Sequence, residues 1–307
     1  MMAVVSTSAN ISLPIFLVDA FAAKQFQGNP AAVCLLQNEI LSDVQMLQIA
    51  QEMKQSETAF VSPVNQADNF QTGSNFNLRW FTPTNEVNLC GHATMATSAV
   101  IFEKKCNVNE QLTFHTRSGQ LMVKTCHEDL VMDFPMYPTV PQEESTVKEL
   151  IKLSIGEIIP QDLQFATLQF GDLVIRLPDT LSRNDLENLK PDTTAMMKAQ
   201  PNGPVKGVII TLKGSHENGA TDDNDQQFDF ISRYFAPWNG IPEDPVTGAA
   251  HTVLASYWSR QLNKTSLYAR QCSARGGNVR LTVKETRVDL AGKASIVVEG
   301  KINLNKC

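Results

Sequence analysis

The stretch Cys90-Gly91-His92-Ala93-Thr94-Met95-Ala96-Thr97-Ser98-Ala99-Val100-Ile101-Phe102 has an echo later in the chain, Thr247-Gly248-Ala249-Ala250-His251-Thr252-Val253-Leu254-Ala255-Ser256-Tyr257-Trp258. Each carries Gly-x-Ala and then runs about three helical turns with no charged side chain until Glu103 or Arg260. A helix that is small or apolar on every face has no solvent side. Each stretch therefore reads as a central helix wrapped by other structure. Glu86 and Glu243 both stand five residues before the helix-opening glycine, which carries the similarity upstream. Two similar halves, each built around one buried helix, follow from this pattern.

Working outward, Ile15 to Phe21 and Ala32 to Leu36 read as strands on either side of the turn signal Gly28-Asn29-Pro30. Ser42 caps a helix, with Gln45 completing a capping box and Val44, Leu47, Ile49 and Met53 giving its apolar face. Further strands are expected before and after each central helix, and they outnumber helices without a regular βαβ alternation. The fold class is α+β, with curved, largely antiparallel sheets around single helices. Pro135, Pro138 and Pro141, followed by Gln142-Glu143-Glu144-Ser145, mark the boundary. The halves are then 13–138 and 139–304.

At 307 residues the chain accommodates two domains, and 42% hydrophobic with 19% charged residues suits a soluble globular protein. A net charge of −6 without a Lys/Arg run argues against nucleic acid. No apolar run reaches the roughly 18 residues of a spanning helix, so no membrane partner is expected. Met1 to Asn10 lack the pattern of a signal peptide and read as a loose extension. Six scattered cysteines, Cys34, Cys90, Cys106, Cys126, Cys272 and Cys307, form neither a zinc motif nor a disulfide framework. A reducing, cytoplasmic setting is the simplest reading. The histidines have no metal-ligand spacing, and no phosphate-cradling or dinucleotide motif is present, so no metal and no nucleotide cofactor is expected.

Several residues are candidates for chemistry, each with a structural alternative. Glu57, beyond a helix end, is either a solvated loop carboxylate or a general base whose pKa rises as neighbours such as Phe60 desolvate it. His92 follows Gly91 at a helix N-terminus, where the dipole favours a neutral imidazole. It is either a structural histidine or part of a site. Asp244, in Glu243-Asp244-Pro245-Val246-Thr247-Gly248, is either a helix cap or an acid set opposite His92 by the duplication. Cys90 is either buried and structural or a thiol base with a depressed pKa. The glycines Gly91 and Gly248 let backbone approach a ligand, and the first-turn amides favour an anion such as a carboxylate. Arg275-Gly276-Gly277 reads as a turn.

Six segments carry a family resemblance: Asp19-Ala20-Phe21, Gly28-Asn29-Pro30-Ala31-Ala32-Val33, Ser56-Glu57-Thr58-Ala59-Phe60, Arg79-Trp80-Phe81-Thr82-Pro83, Cys90-Gly91-His92-Ala93-Thr94 and Glu243-Asp244-Pro245-Val246-Thr247-Gly248. In this order they resemble the PhzF family of phenazine biosynthesis proteins. The resemblance implies a diaminopimelate epimerase-like fold of two pseudo-symmetric halves, each a barrel-like sheet around a central helix, with the active site in the cleft between them. It implies action without metal or organic cofactor on a small carboxylic acid substrate, and a possible homodimer. It makes Glu57 the general acid/base, gives His92 and Asp244 positioning or proton-relay roles, and has the Gly91 and Gly248 amides hold the substrate. Where the family pattern continues with Ser after Gly248, this chain has Ala249. That removes a substrate hydrogen bond worth roughly 1 kcal/mol. The expected function is a cofactor-independent isomerase. The alternatives are a binding or regulatory protein on the same fold, favoured by Ala249, and a thiol-based epimerase using Cys90.

Overall fold

The computed structural model describes residues 11–166 and 171–304. The expected extension Met1 to Asn10 and the last cysteine, Cys307, lie outside them. The described residues form two compact units, one made of 11–20, 30–125 and 294–304, the other of 21–29, 126–166 and 171–293.

In the first unit, β1 (Ile11–Ala20) lies beside β2 (Asn29–Leu35), and α1 (Asp43–Met53) crosses to β3 (Thr58–Pro63), parallel to β2. β4 (Asn75–Phe81) pairs antiparallel with β3 and carries the short β5 (Glu86–Val87). After α2 (Gly91–Ala99) and one π-helical turn at Val100–Lys104, β6 (Gln111–Thr116) lies parallel to β4 and turns back into β7 (Gly119–Cys126). The capping box of α1 forms as the sequence indicates. Its buried face is Met46, Ile49 and Ala50, while Val44 is exposed. Met46 and Ile49 pack with Leu13, Cys34, Phe60 and Phe81 in a core on one side of the sheet.

The second unit begins with β8 (Asp129–Pro135), β9 (Val140–Pro141) and α3 (Glu144–Ile155), then β10 (Asp162–Ala166) antiparallel to β11 (Asp172–Arg176). Two short helices, α4 (Arg183–Asn188) and α5 (Thr193–Ala199), precede β12 (Gly207–Lys213), which is parallel to β11. Next come β13 (Phe230–Ala236), β14 (Ile241–Asp244), α6 (Gly248–Leu262), β15 (Ser266–Gln271), β16 (Gly277–Val283) and β17 (Arg287–Gly292). The last strand of the chain is β18 (Ala294–Leu304).

The duplication holds at the level of pairing. In the first unit β2 is parallel to β3, β3 antiparallel to β4, β4 antiparallel to β5 and parallel to β6, and β6 antiparallel to β7. The second unit repeats this order through β11, β12, β13, β14, β15 and β16. The closing strands do not follow chain order. β8 pairs with β17 in the second unit, whereas β18 pairs with β1 in the first, from Ile11 opposite Leu304 to Ala20 opposite Ala294. The units therefore differ from the expected halves 13–138 and 139–304: residues 126–138 belong with the second unit and 294–304 with the first. Prolines mark where a strand ends, and they carry no record of which sheet that strand joins.

Both central helices are buried, α2 along nearly its whole length against β1, β3 and β18, and α6 from Ala250 to Trp258 against β15, β16 and β17. Polar residues are tolerated there because they satisfy themselves locally. The hydroxyls of Thr94, Thr97 and Ser98 donate to the carbonyls of Cys90, Ala93 and Thr94 at 2.6, 2.7 and 2.8 Å. In α6 the Trp258 indole donates to Thr211 Oγ1 at 3.0 Å and stacks on Phe230 with ring centroids 5.7 Å apart.

Candidate active site

The chain enters α2 through Cys90, an extended N-cap residue with φ −147° and ψ 108°, whose side chain makes no cap hydrogen bond. His92 follows in the first turn and is 8% exposed. Ser56 and Glu57 lead from the end of α1 into β3, a strand that α2 packs against. These two local arrangements bring three side chains around one imidazole. Ser56 Oγ lies 3.2 Å from His92 Nε2, Cys90 Sγ lies 3.5 Å from Nδ1, and Glu57 Oε2 lies 3.2 Å from Nε2. Glu57 Oε2 is buried and accepts no aligned hydrogen bond, so its attraction to the ring is chiefly that of opposite charges.

The electrostatics depart from the sequence reading on both sides of this pair. Burial pushes the Glu57 carboxyl up, as expected, but the His92 charge and the contacts with His92, Ser56 and Cys90 outweigh it and hold the group below its ordinary range. Burial likewise disfavours the His92 imidazolium. The neighbouring Cys90 and Glu57 overcome this and raise His92 well above its ordinary value of 6.5. A neutral imidazole and an elevated carboxyl were the expectation. The structure instead favours carboxylate beside imidazolium, because each supplies the countercharge the other needs. Phe60, expected to desolvate Glu57, packs edge-on against Phe81 in the core instead. Burial, then the Glu57 charge, raises the Cys90 thiol above its ordinary value, the reverse of the depressed pKa expected of a thiol base.

Asp244 sits in the second unit as the last residue of β14 and is 8% exposed. It is not the N-cap of α6. Thr247 is, and its hydroxyl donates a short hydrogen bond to Asp244 Oδ2. Asp244 Oδ1 accepts from Asn29 Nδ2 at 2.8 Å, and the same Nδ2 reaches the Val246 carbonyl at 2.9 Å. Gln271 clamps the segment further: its Nε2 donates to the Asp244 carbonyl at 2.7 Å and its Oε1 accepts from the Thr247 amide at 2.9 Å. Arg275, read as part of a turn, donates from Nε to the Gly28 carbonyl at 2.9 Å and helps hold the Asn29 loop. Asn29 and Gln271 are the supports that sequence reasoning missed. The turn signal Gly28-Asn29-Pro30 was visible, but nothing local ties it to a residue more than two hundred positions away.

At the N-terminus of α6, a Cβ on Gly248 would meet only Leu290 Cδ2, at an ordinary 3.7 Å, and its φ is not in the left-handed region. Local packing does not demand glycine there. Ala249 occupies the first turn, where backbone amides lack intrahelical partners. His251 is fully buried, pushed down to about 4 by that burial, and bonds the Thr247 carbonyl through Nδ1 at 2.8 Å. It is a neutral core histidine.

The upstream glutamates complete the correspondence. Glu86 accepts two hydrogen bonds from Arg79, at 2.8 and 2.7 Å, and Glu243 accepts two from Arg233, at 2.7 and 2.9 Å. Each guanidinium also lies over the phenylalanine two residues on, Phe81 at 5.1 Å and Phe235 at 4.9 Å. The sequence separations are 7 and 10 residues. The three-residue turn Pro237–Asn239 inserted before β14 accounts for the difference and hides the repeat from a fixed-spacing search.

A helix-borne Cys-Gly-His segment in one unit and an Asp-Pro-Val-Thr-Gly segment heading the equivalent helix in the other are the features against which known proteins can be compared. The sequence model of the phenazine biosynthesis-like protein (PhzC-PhzF) family matches residues 18–300. The chain belongs to this family. The human phenazine biosynthesis-like domain-containing protein, a PhzC-PhzF relative, is 49% identical over 293 residues, covering 95% of this chain and 99% of its own. An uncharacterized isomerase of Pseudomonas aeruginosa is 40% identical, covering 96% of this chain and all of its own. The crystal structure of a PhzF-family phenazine biosynthesis protein from Enterococcus faecalis superposes with a TM-score of 0.78 at 35% identity over 95% of this chain and 99% of its own. The α+β, diaminopimelate epimerase-like fold of PhzF proteins is therefore the fold of this chain. Among its described residues no helix is long and apolar enough to cross a membrane.

Proposed function

We propose that the protein is a cofactor-independent isomerase that moves a proton on a small carboxylic acid, with Glu57 and His92 as its proton-transfer pair. The observation that carries this reading is the 3.2 Å approach of Glu57 Oε2 to His92 Nε2 in a mostly buried setting, with the two side chains 13% and 10% exposed. A carboxylate held ionised is ready to accept a proton, and an imidazolium beside it is ready to give one. Glu57 takes a C–H proton, and the electron pair left on carbon delocalises into the adjacent acid group. A proton returns at another position, from Glu57 itself or from His92. Ser56 and Cys90 accept from the two imidazolium N–H groups and fix the ring plane. Asp244, Gly248, Ala249 and Gly91 are assigned to holding the substrate. The family membership and the isomerase name carried by a relative at 40% identity support the reaction class.

The test is deuterium incorporation from heavy water into a pool of small carboxylic acids, followed by mass. Wild type should label one compound, and Glu57→Gln should label it at least about 100-fold more slowly while keeping its circular dichroism spectrum. Equal labelling by the variant refutes the role of Glu57. No labelling across a broad pool favours the binding-protein alternative suggested by Ala249.

A further inference from the structure

The strand registers of the two units identify a counterpart for Glu57. Thr58 pairs with Ala32 and Phe81 in the first unit, and Val208 pairs with Leu173 and Phe235 in the second. Glu57 therefore corresponds to Gly207, Ala31 to Asp172 and Trp80 to Tyr234. The second unit has no side chain at the Glu57 position, and a carboxyl group from the neighbouring strand fills the space: a Cβ on Gly207 would collide with Asp172 Oδ1 and with the Tyr234 hydroxyl. That hydroxyl donates to Asp172 Oδ1 at 3.1 Å, a bond that runs from β11 to β13 across the bare start of β12.

Asp172 is fully buried, and its Oδ2 meets no hydrogen-bond donor among the described residues. Opposite it stand Ala166 on β10 and Gly207 on β12, with Tyr234 on β13 and, paired with Tyr234, Asp244 on β14. The stem of Lys206 passes Gly171, the residue before Asp172. The other charged groups of these strands are engaged elsewhere, Asp162 with Tyr257, Arg176 with Asp179 and Arg233 with Glu243. A buried carboxylate with a single neutral donor is costly. Burial accordingly pushes the Asp172 carboxyl up to about 6, and the Tyr234 bond opposes the rise.

We propose that Asp172 and Tyr234 form a proton-operated latch across the starts of β11, β12 and β13, closed while Asp172 holds its proton and opened more readily once it is lost. The proton passes to solvent as the strand starts part and the carboxylate becomes hydrated. With the folded value raised above 3.8, the stability contributed by Asp172 is complete below 3.8 and lost as pH rises through about 6. The latch contains none of the residues assigned to proton transfer, and its test needs no substrate.

The test is native-state hydrogen exchange of the β11 and β12 amides in full-length protein, corrected for intrinsic exchange rates. The ratio of the opening constant in the wild type to that in Asp172→Asn should rise about tenfold between about pH 5 and pH 8. Against the double variant, Tyr234→Phe should show a larger rise that levels off at higher pH, because Asp172 has then lost its donor. A ratio that stays constant overturns the proposal, as does a profile that Tyr234→Phe leaves unmoved. Should a variant fail to fold, carbon-13 NMR of the wild-type Asp172 carboxyl decides: a midpoint near 6 supports the latch, and one at or below 3.8 overturns it.

Discussion

Glu57 and His92 take their protonation states from each other. Glu57, with its folded pKa lowered, contributes stability that is present above its ordinary value of 4.5 and lost as pH falls through the depressed value. His92, with its folded pKa raised, contributes stability that is complete below 6.5 and lost as pH rises through the elevated value. On the proposed reading the active ionisation is carboxylate with imidazolium, so the rate of substrate labelling should be flat across neutrality, with an acid limb below 4.5 and an alkaline limb well above 6.5. A pH profile with its maximum confined below pH 5 would contradict this. At this scale the sequence pointed to residues that the structure brings together, because Glu57, Cys90 and His92 stand in short stretches with recognisable chemistry. The pKa directions were not legible. They depend on the Glu57–His92 contact and on the Ser56–His92 contact across 36 positions, and burial, the largest single cause at both groups, is outweighed only by the countercharge and the hydrogen-bonding neighbours together.

At the scale of elements, the two buried helices were legible because their composition leaves no solvent face. The clamps that hold the strands before them were not. Arg233 is almost wholly buried, gives two hydrogen bonds to Glu243, and donates to the carbonyls of Leu186 and Leu189 at 3.1 and 2.9 Å. Replacing it with methionine leaves Glu243 and those carbonyls without their donor. Arg233→Met should lower unfolding free energy by about 3 kcal/mol, measured by urea denaturation. Arg79→Met should cost less, because that guanidinium is 29% exposed and Glu86 retains Arg117 at 2.6 Å. Equal losses would show that burial does not govern the difference. The short helices α4 and α5 lacked a long periodic pattern, and sequence reasoning passed over them. Their single fully buried apolar residues, Leu186 and Met196, are too few to announce a helix.

Across the whole chain, the duplication was readable and the partition was not. Pairing of β18 with β1 and of β8 with β17 sends the closing strand of each half away from its neighbours in sequence, a choice made by long-range hydrogen bonding rather than local composition. An isolated fragment 13–138 should therefore fail to fold cooperatively, since β1 loses its ten-residue register with β18 and β8 loses β17. A dispersed amide spectrum from that fragment would show that the halves are autonomous after all.

The account turns on the Glu57–His92 pair, and the most direct measurement is the titration of His92 by nitrogen-15 NMR in the wild type and in Glu57→Gln. The account predicts that His92 in the wild type remains doubly protonated well above pH 6.5, and that removing the carboxylate charge lets burial pull its pKa down. A wild-type His92 that titrates at or below 6.5, or one that titrates identically in the variant, would contradict it.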